Sequence, residues 1–328
     1  MWDQESELLY LRARYYEPET GRFLSRDSYE GNLQNPLSRH LYAYVGNNPV
    51  NYVDPSGNWA SDKNKHDWEK STHRWITGRG IDLVYNNSDA DQWYKEAVYS
   101  TYRVSILNGS DDADDNPPYW NHFYDPEEKA NYIGLGDTAL SELVQQYNNA
   151  VKLFKQIREN YTRQVSRIDP QKRCLYPVRP LDYSTAFYTL GRAVHFIQDL
   201  NNPYHASNMI ADIGIRERGI QKKWSDHAKY ETWTNDTVQS DRIKYTETSM
   251  TFSGSTDINA FGRETALRTH IPDEDWQYDK EVAVDENLHP FTVKIYKLEP
   301  NETRLLGYIK ASERDTAQIL YSFYLDVK

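Results

Sequence analysis

The segment AVHFIQDLNNPYHASN (193–208) holds the residues best suited to chemistry. His195 and Asp199 are spaced i, i+4, so a helix projects both from one face. Leu190, Val194 and Ile197 fall toward another face and can be buried. Asn202-Pro203 then ends the helix and turns the chain, which returns His205 toward the pair. Imidazole nitrogen and carboxylate oxygen are ordinary zinc ligands, so one face carrying both is a ready metal grip. A second i, i+4 pair, His227 and Glu231, follows in WSDHAKYETW. His73 and His122 supply two further imidazoles, the latter in the aromatic segment WNHFYDP. One such pair alone is usually a surface or capping interaction. Two pairs with His205 after an Asn-Pro turn bring metal binding level with that reading.

These residues need helices to present them. Ser71 can cap a helix through His73, Trp75, Ile76, Ile81 and Leu83. Residues 137–158 repeat apolar positions at three- and four-residue steps, from Leu140 and Leu143 to Phe154 and Ile157. Further helices are predicted near 183–200 and 311–326. Between them, FTVKIYKLEPNETRLLGYI alternates around a Pro-Asn turn and predicts a β-hairpin. The body after residue 58 is expected to be mainly α. Residues 1–58 differ in texture: Tyr, Arg, Asn, Pro and Gly recur with frequent turn signals, and Glu17-Pro18-Glu19-Thr20-Gly21 predicts a turn between two short strands. So few residues of this kind build little core alone.

Composition bounds the rest. The chain has 328 residues, 38% of them hydrophobic and 14% aromatic, which is globular rather than disordered. A single cysteine, Cys174, excludes an internal disulfide framework and a thiolate zinc cluster, so a metal must sit on His, Asp and Glu. The formal net charge of −11 gives no general attraction for nucleic acid. The first residues lack the apolar run of a signal peptide, and no apolar stretch is long enough for a membrane helix.

Two resemblances sharpen these expectations. Arg12-Ala13-Arg14-Tyr15-Tyr16, Gly21-Arg22-Phe23 and the run from Leu41 to Gly57 resemble the end of the core of Rhs/YD-repeat proteins. Those proteins carry variable toxin domains after a motif matched here by Asp54-Pro55-Ser56-Gly57. The resemblance implies an effector domain from Trp59 onward (1–58 core segment, 59–328 catalytic domain) and proteolytic release close after the motif. A secreted or delivered effector and an immunity protein as partner follow from it as expectations.

The segments HFIQDLNNPYHASN, HAKYE, HFYDP, STHRWITGRGIDL and TAQILYSFYLDV are similar to the zinc-dependent phospholipase C family. That similarity implies a multi-helix domain with three zinc ions and phosphodiesterase activity on phospholipid head groups. Carried over, it assigns His122, His195 and Asp199 to one zinc and His205, His227 and Glu231 to a second. Asp199 would bridge to a third, held by His73 and by Trp59 through its α-amine and carbonyl oxygen. The water-orienting carboxylate would be Asp114, five residues after Gly109, with Asp112 as the alternative. Asp62 matches a position that can face a choline-like cation, and reads equally well as a surface residue starting a turn. An internal Trp has no free amine. Cleavage between Asn58 and Trp59 would expose one with a pKa near 8, able to lose its proton to zinc.

Trinuclear zinc nucleases that act on single strands share this ligand plan. Their last pair usually ends in Asp rather than a residue like Glu231, and they tend to carry disulfides. The acidic balance also favours phospholipase, so no nucleic acid partner is expected. A non-enzymatic interaction module is the third reading, which the complete set of ligand types opposes.

Overall fold

The computed structural model describes residues 2–3, 8–10, 14–26, 40–44, 52–53, 61–62, 72–114, 119–167, 181–210, 223–225, 227–240, 242–254, 256–284 and 291–328. The chain divides into two units, Met1–Ser71 and Thr72–Lys328. Asn58, Trp59 and Ser71 lie outside the described residues.

In the first unit, β1 (Trp2–Asp3), β2 (Leu8–Tyr10), β3 (Tyr15–Glu17) and β4 (Arg22–Phe23) form an antiparallel sheet in sequence order. The turn expected at residues 17–21 joins β3 to β4. Gly21 closes it at φ 70°, a left-handed conformation cheap only for glycine, and its amide donates to the Glu17 carbonyl at 2.9 Å. Tyr16, Phe23 and Tyr44 pack edge and face, and the Arg14 guanidinium lies 3.6 Å from the Phe23 ring centre. A separate pair, β5 (Tyr52–Val53) and β6 (Ser61–Asp62), sets Tyr52 opposite Asp62.

The second unit is mainly α. Its elements begin with α1 (Thr72–Asn87), α2 (Gln92–Glu96), a π-helical turn Ala97–Thr101 and α3 (Arg103–Asp111). After a 3-10 turn Tyr119–His122 come α4 (Ala139–Arg167) and α5 (Ser184–Leu200). Strands β7 (Met209–Ile210) and β8 (Lys223–Ser225) precede α6 (His227–Ser240), α7 (Arg242–Tyr245) and α8 (Ile258–Thr269). Strands β9 (Gln277–Val284) and β10 (Phe291–Lys297) lead to α9 (Glu302–Val327).

Helix α5 is the axle. It is buried almost continuously from Ala186 to Leu200, with α3, α4, α8 and α9 packed around it. Leu143, Phe187, Leu190, Phe196 and Phe323 make the centre of the core, each fully buried. Burying one such side chain contributes about 1.5–3 kcal/mol. The α3–α5 crossing is unusually close. A Cβ on Gly109 would stand 2.0 Å from the Tyr188 carbonyl oxygen, and one on Gly191 would stand 2.1 Å from the Ile106 carbonyl oxygen. Glycine at both positions lets the two backbones touch.

The helix expected over 137–158 runs further, to Arg167, and the one near 183–200 holds closely. The predicted hairpin is corrected. Its strands are β9 and β10, which pair antiparallel across 285–290. Pro300-Asn301 is not its turn but the start of α9, which begins nine residues earlier than expected (302 against 311). The Asn301 side chain accepts from the Arg304 amide, an N-cap, and Leu305 and Ile309 then bury one turn apart beside Ile76 and Val238. Cap and turn use the same asparagine chemistry, and burial of the following face decided between them. The long step from His205 to His227 is anchored by β7 and β8, which join the hairpin in a sheet of order β7-β8-β10-β9.

Candidate metal centre

His195 and Asp199 project from one face of α5 into the interior, 0% and 1% exposed. The Gly109–Gly191 contact brings the end of α3 onto α5. There the Ser110 carbonyl accepts a hydrogen bond from His195 Nδ1 at 2.7 Å, which turns Nε2 toward the other side chains of the cluster. Around His195 Nε2 stand Asp199 Oδ2 and His122 Nδ1, both at 3.1 Å, and Asp114 Oδ1 at 3.4 Å. His122 Nδ1 also lies 2.8 Å from Asp199 Oδ2 and 3.8 Å from Asp114 Oδ1.

His122 ends its 3-10 turn, and the neighbouring chain is tied down on both sides. Asn121 donates to Glu142 on α4 at 3.0 Å, and the Tyr124 amide donates to the His205 carbonyl at 3.1 Å. Asp112, the alternative to Asp114, accepts from the Tyr188 hydroxyl at 3.2 Å.

A second cluster forms where the chain turns after α5. Asn202 shapes the turn, its Oδ1 accepting from the Tyr204 amide at 3.0 Å. This sets His205 Nε2 3.0 Å from His227 Nε2 and 3.3 Å from Glu231 Oε1. His227 opens α6, and one helical turn later Glu231 Oε1 returns to within 2.8 Å of its Nε2. Phe123 stacks on His205 and Tyr204 on His227, at 4.6 and 5.1 Å between ring centres, so both imidazoles are clamped. His73, in the first turn of α1, stacks on His195 at 4.2 Å, and its Nε2 lies 3.9 Å from Asp199 Oδ1.

These distances suit metal ions. Ligand atoms arranged tetrahedrally about zinc at roughly 2.0–2.2 Å stand about 3.3–3.6 Å from one another. Three groups each bring one ligand atom per residue within 4.8 Å of one another: His73, His195 and Asp199; Asp114, His122 and His195; and His205, His227 and Glu231. The buried polar atoms say the same. His205 Nδ1 and Asp199 Oδ1 lie 3.1 Å apart, yet each is buried without a hydrogen-bond partner. Orphaned atoms of this kind cost about 1–3 kcal/mol each unless something charged or polar satisfies them. The donor set therefore fits zinc.

The electrostatics are strongly coupled. Burial alone would raise Asp199 and Glu231, but the surrounding imidazoles outweigh it and hold both carboxyls well below the usual range. Asp114 responds in the same way: burial pushes up, His195 pulls down more, and the carboxyl falls to about 2. Burial pushes His205 down, yet Asp199 and Glu231 carry it up to about 10. His195 is raised by Asp199 and Asp114 against its own burial. His73 alone is lowered, by burial and then by His195. Metal entering the site must displace the protons that the carboxylates hold on His195 and His205.

Seven of the expected metal ligands thus converge, from His73 to Glu231. Asp114 joins them inside a ligand group rather than apart from it. Trp59 and Asn58 fall outside the described residues. Asp62 lies on β6 in the first unit. Sequence reasoning passed over Gln198, whose side-chain oxygen meets His73 Nδ1 at 2.8 Å, and Phe123 and Tyr204, which clamp imidazoles. Only their nearness to named ligands could have flagged them. A cavity of about 360 Å³ opens beside the centre, and its lining includes His73, Asp114, His205 and Glu231 together with the apolar Ile76 and Leu305.

No family model matches the chain. Two curated phospholipases C of Bacillus cereus are each 27% identical to it over 195 residues, 58% of this chain and 56% of theirs. The chain spans about half the length of these relatives. The tRNA nuclease WapA of Bacillus subtilis (strain 168) is 52% identical over 58 residues, 18% of this chain and 2% of that protein. Among solved structures, alpha toxin from Clostridium absonum superposes with a TM-score of 0.52 at 16% identity, covering 82% of this chain and 66% of the toxin. The chain thus has an alpha-toxin-like, mostly helical fold, and its helical part is homologous to phospholipase C, a phosphodiester hydrolase.

Proposed function

We propose that this chain is a zinc-dependent phospholipase C that cleaves the phosphodiester of membrane phospholipids. The observation that carries the reading is the convergence of five imidazoles and three carboxylates with zinc-compatible spacing. His122, His195 and Asp199 would hold one ion, with the Asp114 carboxylate beside it, and His205, His227 and Glu231 a second. His73 with Asp199 would begin a third site. Zinc bound there supplies water of lowered pKa and neutralises phosphate oxygens as charge builds on them. The protein's own groups do the rest. Asp114, ionised at neutral pH and reaching solvent, orients the attacking water. Ser110 and the stacked aromatic rings keep the imidazoles in place. The products are diacylglycerol and a phosphorylated head group.

We further propose that this domain is the effector of an Rhs-type toxin. The 58-residue match to WapA and the Asp54-Pro55-Ser56-Gly57 motif support that reading. Cleavage between Asn58 and Trp59 would free the amine that completes the third zinc, with the immunity partner outside this chain.

Zinc content measured beside hydrolysis of phosphatidylcholine vesicles and of single-stranded DNA tests the proposal. Bound zinc with diacylglycerol release is expected. Cleavage of DNA alone, or zinc-free protein after gentle purification, overturns it.

A further inference from the structure

Gln198 lies between His195 and Asp199 in the sequence of α5 and is 4% exposed. Its amide is fully committed. Nε2 donates to Thr77 Oγ1 on α1 at 2.8 Å and to Thr316 Oγ1 on α9 at 3.2 Å. Both amide hydrogens are thereby used on threonine oxygens, so the carbonyl oxygen is the atom facing His73 Nδ1 at 2.8 Å. An oxygen there accepts, and His73 Nδ1 must donate. Nε2 of His73 then keeps its lone pair, in the group it forms with His195 and Asp199.

The network continues: Thr77 Oγ1 meets Ser110 Oγ at 2.8 Å, and the Ser110 carbonyl fixes His195 Nδ1. Four helices therefore join in one run of hydrogen bonds that ends on two imidazoles, each with Nδ1 donating.

We propose that Gln198 is a positioning residue, which fixes the tautomer and ring orientation of His73 so that its Nε2 is presented to a metal ion beside Asp199. This rests on the zinc reading above. The acceptor is a neutral amide, so it orients the imidazole without adding another charge to a site already crowded with carboxylates. A partner of this kind typically changes metal affinity by about 10- to 100-fold.

The test follows the His73 ring by 1H–15N spectroscopy on the full chain. In metal-free wild type, His73 is expected with Nδ1 protonated and Nε2 bare; the opposite tautomer overturns the proposal without any variant. During zinc titration, the midpoint read at the His73 signals should rise about 10- to 100-fold in Gln198→Met. A wild-type midpoint in Gln198→Met overturns the proposal. Wild-type protein that binds no zinc at any histidine instead overturns the metal reading itself, and this assignment with it. If Gln198→Met does not fold, the wild-type tautomer still decides.

Discussion

At the scale of single residues, the centre depends on lone pairs that point at one another. Such an arrangement repels unless a cation or proton lies between the atoms. His195→Ala and His227→Ala each remove one imidazole from a different cluster. Both should lose bound zinc and at least about 100-fold of phosphodiesterase activity, the upper end of what even supporting residues contribute. Metal analysis beside the assay checks this, and full activity with wild-type zinc in either variant sinks the ligand assignment.

A second residue-scale prediction concerns Glu313, fully buried on α9 away from the ligand groups. Burial pushes its carboxyl up to about 8, against the Glu247 amide that donates to it at 2.5 Å. Arg79 and Lys310 lower it, and the Glu247 carboxylate raises it. A folded value above the unfolded one means that the folded state holds the extra proton. This contribution is therefore complete below about 4.5 and is lost as pH rises toward 8, with a slope of up to about 1.4 kcal/mol per pH unit. Gln replaces the protonated acid closely. Glu313→Gln should thus flatten the decline of Tm between about pH 5 and 8; an unchanged slope removes Glu313 as its source.

At the scale of elements, the site exists because α3 and α5 touch. The Ser110 carbonyl reaches His195 only because Gly109 and Gly191 bring the backbones together. Gly191→Ala places a methyl group against the Ile106 carbonyl and forces the helices apart. The expected cost is about 1–3 kcal/mol, seen as a lower Tm, with weakened zinc binding as a second consequence. Stability equal to wild type would mean the crossing is looser than described. The C-terminal helix makes a milder case. Asn301→Ala removes its cap and should cost about 1 kcal/mol by denaturant midpoint, with zinc content unchanged.

Elements also show where local signals suffice and where they do not. The His-x-x-x-Asp and His-x-x-x-Glu spacings read correctly, because i, i+4 geometry is a property of any helix. Helix α5 read well because its apolar run is long. Pro300-Asn301 misled, since Asn serves turn and cap alike and the burial of Leu305 and Ile309 settles the matter from far along the chain.

At the scale of the whole molecule, the two units carry different parts of the proposal. The first holds the short antiparallel sheet, the second the metal centre. If release between Asn58 and Trp59 supplies a ligand amine, the cut chain should bind one more zinc than the uncut chain. Its specific activity should be higher by about tenfold or more, in line with the effect of completing a metal site. Mass spectrometry with zinc analysis of both forms checks it. An uncut chain with three zinc ions and full activity refutes activation by cleavage.

The sequence by itself determined the donor types and their local pairing. With a single cysteine, metal had to fall to His, Asp and Glu, and helical periodicity set His195 with Asp199 and His227 with Glu231 on shared faces. Tertiary structure alone decided how those pairs meet, which nitrogen each imidazole offers, and that Asp114 enters a ligand group. The reason is physical. A tautomer is set by the hydrogen bond on the far side of the ring, and those partners, Ser110 for His195 and Gln198 with Thr77 and Thr316 for His73, come from separate helices. No local spacing encodes such contacts, because they arise only when glycine-mediated packing brings distant backbones within reach.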